Sequence, residues 1–225
     1  MAKGNKIIYL IDRDNWQKDN SVNHILITYL KKSNWEIRWE DPAGKFIYQL
    51  RKIQNRYKWI PNYLKNINLR IVQILYGIFN PSYFHYLSYR RTSSIETRVE
   101  QLKKNISNIG NNKEIIILSK SAGGRVASYI ADELNIKHLI SISYPFQNPD
   151  EQKDSTRYKH LENLKTPMLI IQGDRDEYGG IEECQNYILS PKIELFFVDA
   201  DHDFIVNKKD WKRIINRLDK IIMVD

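Results

Sequence analysis

The strongest constraint on this chain is a set of short, largely apolar runs without regular polar alternation. They lie at Lys6 to Ile11, Glu114 to Leu118, His138 to Ser143, Pro167 to Ile171 and Lys192 to Val198. A strand that is apolar on both sides of its pleat has to be covered on both faces, which is the habit of parallel sheets. Trp35 to Trp39 adds a shorter strand, ended by Asp41-Pro42.

Stretches with helical periodicity separate the runs. Val22, Ile25, Leu26, Tyr29 and Leu30 share one helix face, with Ser21 placed to cap it. Ser93 and Glu96 form a capping-box pattern before Ile95, Val99, Leu102, Ile106 and Ile109, and Gly110 follows as a stop. Val126, Ile130 and Leu134 stack along a helix predicted over Ala122 to Leu134. Ile181, Cys184 and Ile188 mark another, and Asn207 opens a last one bearing Trp211, Ile214, Ile215, Leu218 and Ile222. The expected fold class is α/β, a mostly parallel sheet with helices on both faces. At 225 residues and 42% hydrophobic, the chain is expected to form one domain over 1–225.

Charge is distributed unevenly. Residues 43–95 hold no Asp or Glu, yet carry nine Lys and Arg, more than the whole net charge of +8. Aromatic residues run through the same stretch, from Phe46 to Tyr89, and Pro61 and Pro81 divide it. We expect residues 43–92 to be an inserted lid or cap-like segment of two or three helices. Three uses fit it: a solvated cover packed through its aromatics, a peripheral contact with an anionic membrane around Ile71 to Phe79, or a surface for an anionic substrate. No recognised nucleic-acid motif appears, so no nucleic acid is expected as a partner. Neither a signal-peptide apolar region nor a run of about 18 apolar residues is present. The expected location is therefore cytoplasmic, with membrane-peripheral contact as the variant. The single Cys184, on an apolar helix face, reads as packing and excludes an intrachain disulfide.

Chemistry concentrates in three loops that follow strands. The strand Ile115 to Leu118 runs through Ser119-Lys120-Ser121-Ala122-Gly123-Gly124 directly into a helix. Small residues two before and two after Ser121 make this a nucleophile-elbow pattern, with Ser119 where glycine is usual. The helix that starts there aims its free N–H groups and positive dipole end outward, and the Ala122 N–H is a candidate oxyanion donor. A serine needs a base, and the base needs an acid to orient it. Asp174 and Asp176 follow one later strand, and His202 follows the next. The catalytic candidates are thus Ser121, His202 and one of the two aspartates, acting on a small-molecule or acyl-bearing substrate without a cofactor. Asp199, Asp201 and Asp203 beside His202 read as a solvated acidic turn, and no metal is expected there.

From Ile115 to Phe204 the chain resembles the α/β-hydrolase superfamily, and within it small dienelactone-hydrolase-like proteins. The elbow of those proteins reads Gly-Lys-Ser-Met-Gly-Gly-Arg, beside Ser119-Lys120-Ser121-Ala122-Gly123-Gly124-Arg125 here. Tyr144-Pro145, the Gln172-Gly173-x-x-Asp176-x-x-Gly179 loop and the turn Asp201-His202-Asp203 match further family features. The resemblance implies a reduced α/β-hydrolase fold, a serine esterase or thioesterase activity, and Asp176 rather than Asp174 as the triad acid. It also implies a second oxyanion donor in the turn after the first strand. That turn, Asp12-Arg13-Asp14-Asn15-Trp16, lacks the usual glycine, leaving Arg13 as the candidate. A binding or scaffold module with an incomplete oxyanion hole is the competing reading.

Overall fold

The computed structural model describes residues 5–12, 20–57, 59–92, 94–110 and 112–223, with the side chains of 12, 20–23 and 89–92 outside the description. Six strands form one sheet: β1 (Lys6–Asp12), β2 (Glu36–Trp39), β3 (Glu114–Lys120), β4 (Ile136–Ile142), β5 (Met168–Gly173) and β6 (Ile193–Val198). Their order is β2-β1-β3-β4-β5-β6, and every neighbouring pair is parallel. The unbroken apolar runs sit where they must. β3 and β5 are in the interior of the sheet, and every β5 residue is buried. The outer strands β2 and β6 carry Glu36, Arg38 and Glu194, charges that discourage further strand pairing.

Alternate residues of every strand but β2 feed two cores. On one face Ile8, Leu10, Ile116, Leu118, Ile140 and Leu169 pack under α1 (Asn20–Leu30) and α8 (Lys208–Ile222). On the other, Tyr9, Ile117, Leu139 and Ile170 pack under α5 (Ile95–Ser107), α6 (Ala122–Ile130) and the single turn α7 (Ile181–Cys184). Asn207 caps α8, its side chain accepting from the Asp210 N–H at 2.9 Å.

The segment after β2 forms three helices: α2 (Gly44–Arg56), α3 (Asn62–Phe79) and α4 (Ser82–Thr92). They build a small core of their own from Ala43, Ile47 and Tyr83, with Leu69 and Tyr76 against it. Tyr48 ties α2 to the main core beside Trp39, ring centroids 5.8 Å apart.

Four boundaries differ from the sequence reading. α1 starts at Asn20, so Ser21 lies inside the helix rather than at its cap. α5 is capped by Ser94, which accepts from the Thr97 N–H, while Ser93 lies outside the described residues. α6 stops at Ile130 instead of Leu134. The chain turns there to enter β4, and the Asp132 carboxylate is taken by the Lys165 and Thr166 N–H groups. α7 ends at Cys184, because Tyr187 rather than Ile188 turns inward, stacking on Phe146 at 5.2 Å.

Candidate active site

The turn from β3 into α6 places Ser121 at φ 49°, ψ −127°, a conformation rare for a residue with a Cβ. Such strain costs on the order of 1–3 kcal/mol and needs the surroundings to hold it. The Ser121 N–H donates to the Ile142 carbonyl at 2.8 Å, and the Gly124 N–H donates to the Ser121 carbonyl at 2.9 Å. The glycines are there because neighbours come close. A Cβ on Gly123 would lie 2.9 Å from the Ile11 carbonyl oxygen, and one on Gly124 would lie 2.1 Å from Ser141 Oγ. Ser119, by contrast, is regular strand with no positive φ, and its hydroxyl donates to the Ile140 carbonyl at 3.1 Å. That is why a side chain is tolerated where related elbows have glycine.

Ser121 Oγ lies 3.1 Å from His202 Nε2. His202 Nδ1 lies 2.9 Å and 3.1 Å from the two oxygens of Asp176. The Asp176 carboxylate is fully buried, whereas the imidazole keeps an edge toward solvent. All three residues follow the C-terminal ends of strands, β3, β5 and β6, where parallel sheets collect their sites.

The carboxylate is held on both oxygens. The Tyr178 N–H donates to Oδ1 at 2.9 Å and Gln172 Nε2 donates to Oδ2 at 2.9 Å. Gln172 is itself clamped, accepting from the Tyr144 N–H at 2.8 Å. The Tyr178 ring leans on the imidazole, centroids 4.2 Å apart. A Cβ on Gly173 would sit 2.5 Å from the Ala200 carbonyl, so this glycine lets the acid loop and the histidine loop touch. Lys120 Nζ donates to the Asp203 carbonyl at 3.4 Å, bridging the elbow to the histidine turn.

Asp174 is elsewhere. Its Oδ1 accepts from the Ala200 N–H and pairs with Arg175, which also binds Asp199, so it staples the two loops together. Among the described residues, no group of three or more His, Cys, Asp or Glu is arranged to hold a metal. Ala122 is the first residue of α6, where the N–H groups have no partner inside the helix. Arg13 and the turn to which it belongs lie outside the described residues. Register does place that turn's start, since Asp12 at the end of β1 pairs with Lys120, next to Ser121.

Sequence reasoning overlooked the separate role of Gln172. Its signal was present: a polar residue after Met168 to Ile171 in a buried strand needs partners. A second hydroxyl–imidazole contact, Ser128 Oγ to His160 Nε2 at 2.8 Å, differs in kind. Ser128 lies within α6, buried, away from its N-terminus. His160 is stacked on Tyr129 and driven down to about 4 by burial and then by Arg125.

Comparison with known proteins agrees with this architecture. Residues 67–223, more than half of the chain, match the family model described as an alpha/beta hydrolase domain. The chain belongs to the alpha/beta hydrolase family. Solved structures resemble it over nearly its full length. A putative hydrolase of the alpha/beta superfamily from Xanthomonas campestris pv. campestris aligns at 10% identity and TM-score 0.55, covering 96% of this chain and 99% of that one. The esterase domain of a Rhodothermus marinus protein aligns at 11% identity and TM-score 0.52, covering 97% and 86%. A Pyrococcus furiosus esterase aligns at 15% identity and TM-score 0.51, covering 99% and 84%. At these identities the likeness is one of fold. No curated protein matches the sequence.

Proposed function

We propose that this alpha/beta hydrolase is a serine hydrolase that cleaves carboxylic esters or thioesters through an acyl-enzyme. The observation that carries the reading is the hydrogen-bonded series Ser121–His202–Asp176, with its serine held at positive φ on a helix N-terminus.

His202 takes the Ser121 hydroxyl proton as Oγ attacks the carbonyl carbon. Negative charge develops on the carbonyl oxygen, toward the Ala122 N–H and the positive end of α6. The tetrahedral species collapses when His202 passes its proton to the leaving alkoxide or thiolate. Water then enters, His202 removes its proton, and a second collapse frees the acid and restores Ser121. Asp176 holds the imidazole in the tautomer with Nδ1 protonated and stabilises the imidazolium. Water is the only co-reactant this cycle needs. The substrate class is a small or acyl-bearing ester, and the positive 43–92 segment favours an anionic one.

Reaction with a fluorophosphonate probe tests the proposal. Wild-type protein is expected to be modified on Ser121, and Ser121→Ala and His202→Ala to be silent. Failure of the wild type to react would instead favour a binding module of the same fold.

A further inference from the structure

Helix α3 has two apolar faces, and among the described residues only one of them is covered. On its inner side Leu69 and Tyr76 pack against the small core of Ala43, Ile47 and Tyr83. Gly77 lies against the Phe84 ring, where a Cβ would come within 2.5 Å. The outer side carries Ile67, Ile71, Ile74 and Ile78, spaced four, three and four residues apart, so they fall on one narrow stripe. These four are 48–61% exposed, and Leu75 beside them is 50% exposed. Eighteen residues of helix extend about 27 Å. From Ile67 to Ile78 the stripe runs about 17 Å of that length, and a continuous exposed apolar stripe calls for an occupant.

Charge identifies the occupant. Residues 43–95 contain no carboxylate and nine Lys and Arg. Outside the segment the chain has 26 basic against 27 acidic residues, so the net positive charge is confined to the part bearing the stripe. A second copy docking two-fold through this face would set two such segments against each other with no acid in either to offset them. A bilayer with acidic headgroups supplies both needs: negative charge for the cations, and acyl chains at the headgroup boundary for the isoleucines. Arg70 flanks the stripe on α3, and Lys45, Lys52 and Arg56 lie on the adjoining α2. Trp59, 79% exposed just before α3, has the amphipathic ring that favours a membrane–water boundary. Among the described residues, no helix is long and apolar enough to cross a membrane, which suits a helix lying in its surface.

We propose that α3 seats the protein on anionic lipid bilayers, its outer isoleucine stripe entering the headgroup–acyl boundary and the surrounding lysines and arginines meeting acidic headgroups. The proposal stands apart from the role of Ser121, since binding requires no chemistry.

Flotation of the full chain with phosphatidylcholine vesicles, with and without phosphatidylserine, tests it. The protein is expected to float with the anionic vesicles at low salt, and to bind neutral vesicles or anionic ones at high salt at least about tenfold more weakly. Trp59 emission is expected to shift to the blue on binding, and Trp59→Phe to abolish most of that shift. The pair Ile71→Asp and Ile74→Asp, both on half-exposed positions, is expected to cut binding at least about tenfold. Circular dichroism and Tm of that variant should match the wild type. Three results would overturn the proposal: wild-type protein that stays unbound with anionic vesicles at low salt, equal binding to neutral vesicles, or a stable dimer in sedimentation that the aspartate pair dissociates.

Discussion

Gln172 Nε2 donates to Asp176 Oδ2 at 2.9 Å, while Gln172 Oε1 accepts from the Tyr144 N–H at 2.8 Å. The side chain is fully buried, and it fixes the second oxygen of the carboxylate that faces His202. Gln172→Met keeps the volume and removes both bonds, leaving a buried N–H and a carboxylate oxygen short of partners. An unsatisfied buried group costs about 1–3 kcal/mol, so Tm should fall. If Gln172 positions Asp176, kcat on a model ester should fall about tenfold, a change of about 1.4 kcal/mol, while KM stays near its wild-type value. A purely structural role would lower Tm and leave kcat in place.

The two neighbouring aspartates are expected to behave oppositely. Asp176→Asn would present an amide to His202 Nδ1 and favour the wrong tautomer, with a loss in kcat on the order of 10⁴. Asp174→Asn loosens the contact with Ala200 and Arg175 and should change kcat by less than about tenfold, with its effect mainly on Tm. Steady-state rates of the two variants side by side check this. Similar losses in both would remove Asp176 from the assigned role.

Much of this arrangement was legible in the sequence because it rests on local rules. The strands β1, β3 and β5 are apolar at consecutive positions, which admits few alternatives to a parallel sheet covered on both faces. The elbow was legible because a small residue at Gly123 reports a backbone approach, here from Ile11. The choice between Asp174 and Asp176 was not local. It depends on how the β5 and β6 loops meet through Gly173 and Ala200, and spacing alone does not encode that. Nor does α3 announce which of its apolar faces is turned inward. Leu69 is as apolar as Ile71 and Ile74, and packing against the small core around Tyr83 is what separates it from them.

The two elbow glycines face obstacles of different kinds, and rescue should tell them apart. A Cβ at position 123 meets the main chain of Ile11, which no side-chain change can move. Gly123→Ala should destabilise by about 1–3 kcal/mol and slow fluorophosphonate labelling. A Cβ at position 124 first meets Ser141 Oγ. Ser141→Ala should therefore recover part of the loss in Gly124→Ala and none of that in Gly123→Ala, as read by urea unfolding.

Cys184 offers a control on nucleophile identity. Its thiol is buried, donates to the Gly179 carbonyl at 3.2 Å, and is pushed up to about 12 by burial, then by the charges of Asp176 and Glu183. Native protein should resist iodoacetamide near pH 8 and react fully once unfolded. Rapid alkylation of the native state, with loss of activity, would point to a thiol in the chemistry.

Acid should weaken the fold in two separable steps. His138 and His160 are held neutral, both driven from 6.5 to about 4, chiefly by burial. Each binds its proton more readily unfolded than folded, so unfolding takes up protons whenever the pH is below the unfolded value. Their contribution is complete above about 6.5 and is lost progressively as the pH falls toward about 4. Asp132 and Asp210 act lower down. For Asp132 burial raises the carboxyl, but the N–H groups of Lys165 and Thr166 and the Thr166 hydroxyl outweigh it; for Asp210 the Arg213 hydrogen bond leads. Both carboxyls sit below their ordinary value, so what they contribute is retained through the histidine window and lost beneath it. Tm measured against pH should therefore begin to fall near 6.5, before Asp132 and Asp210 contribute their part. Replacing His138 and His160 by Gln should flatten that first descent and leave the second, and a wild-type profile level down to about pH 4.5 would contradict the assignment.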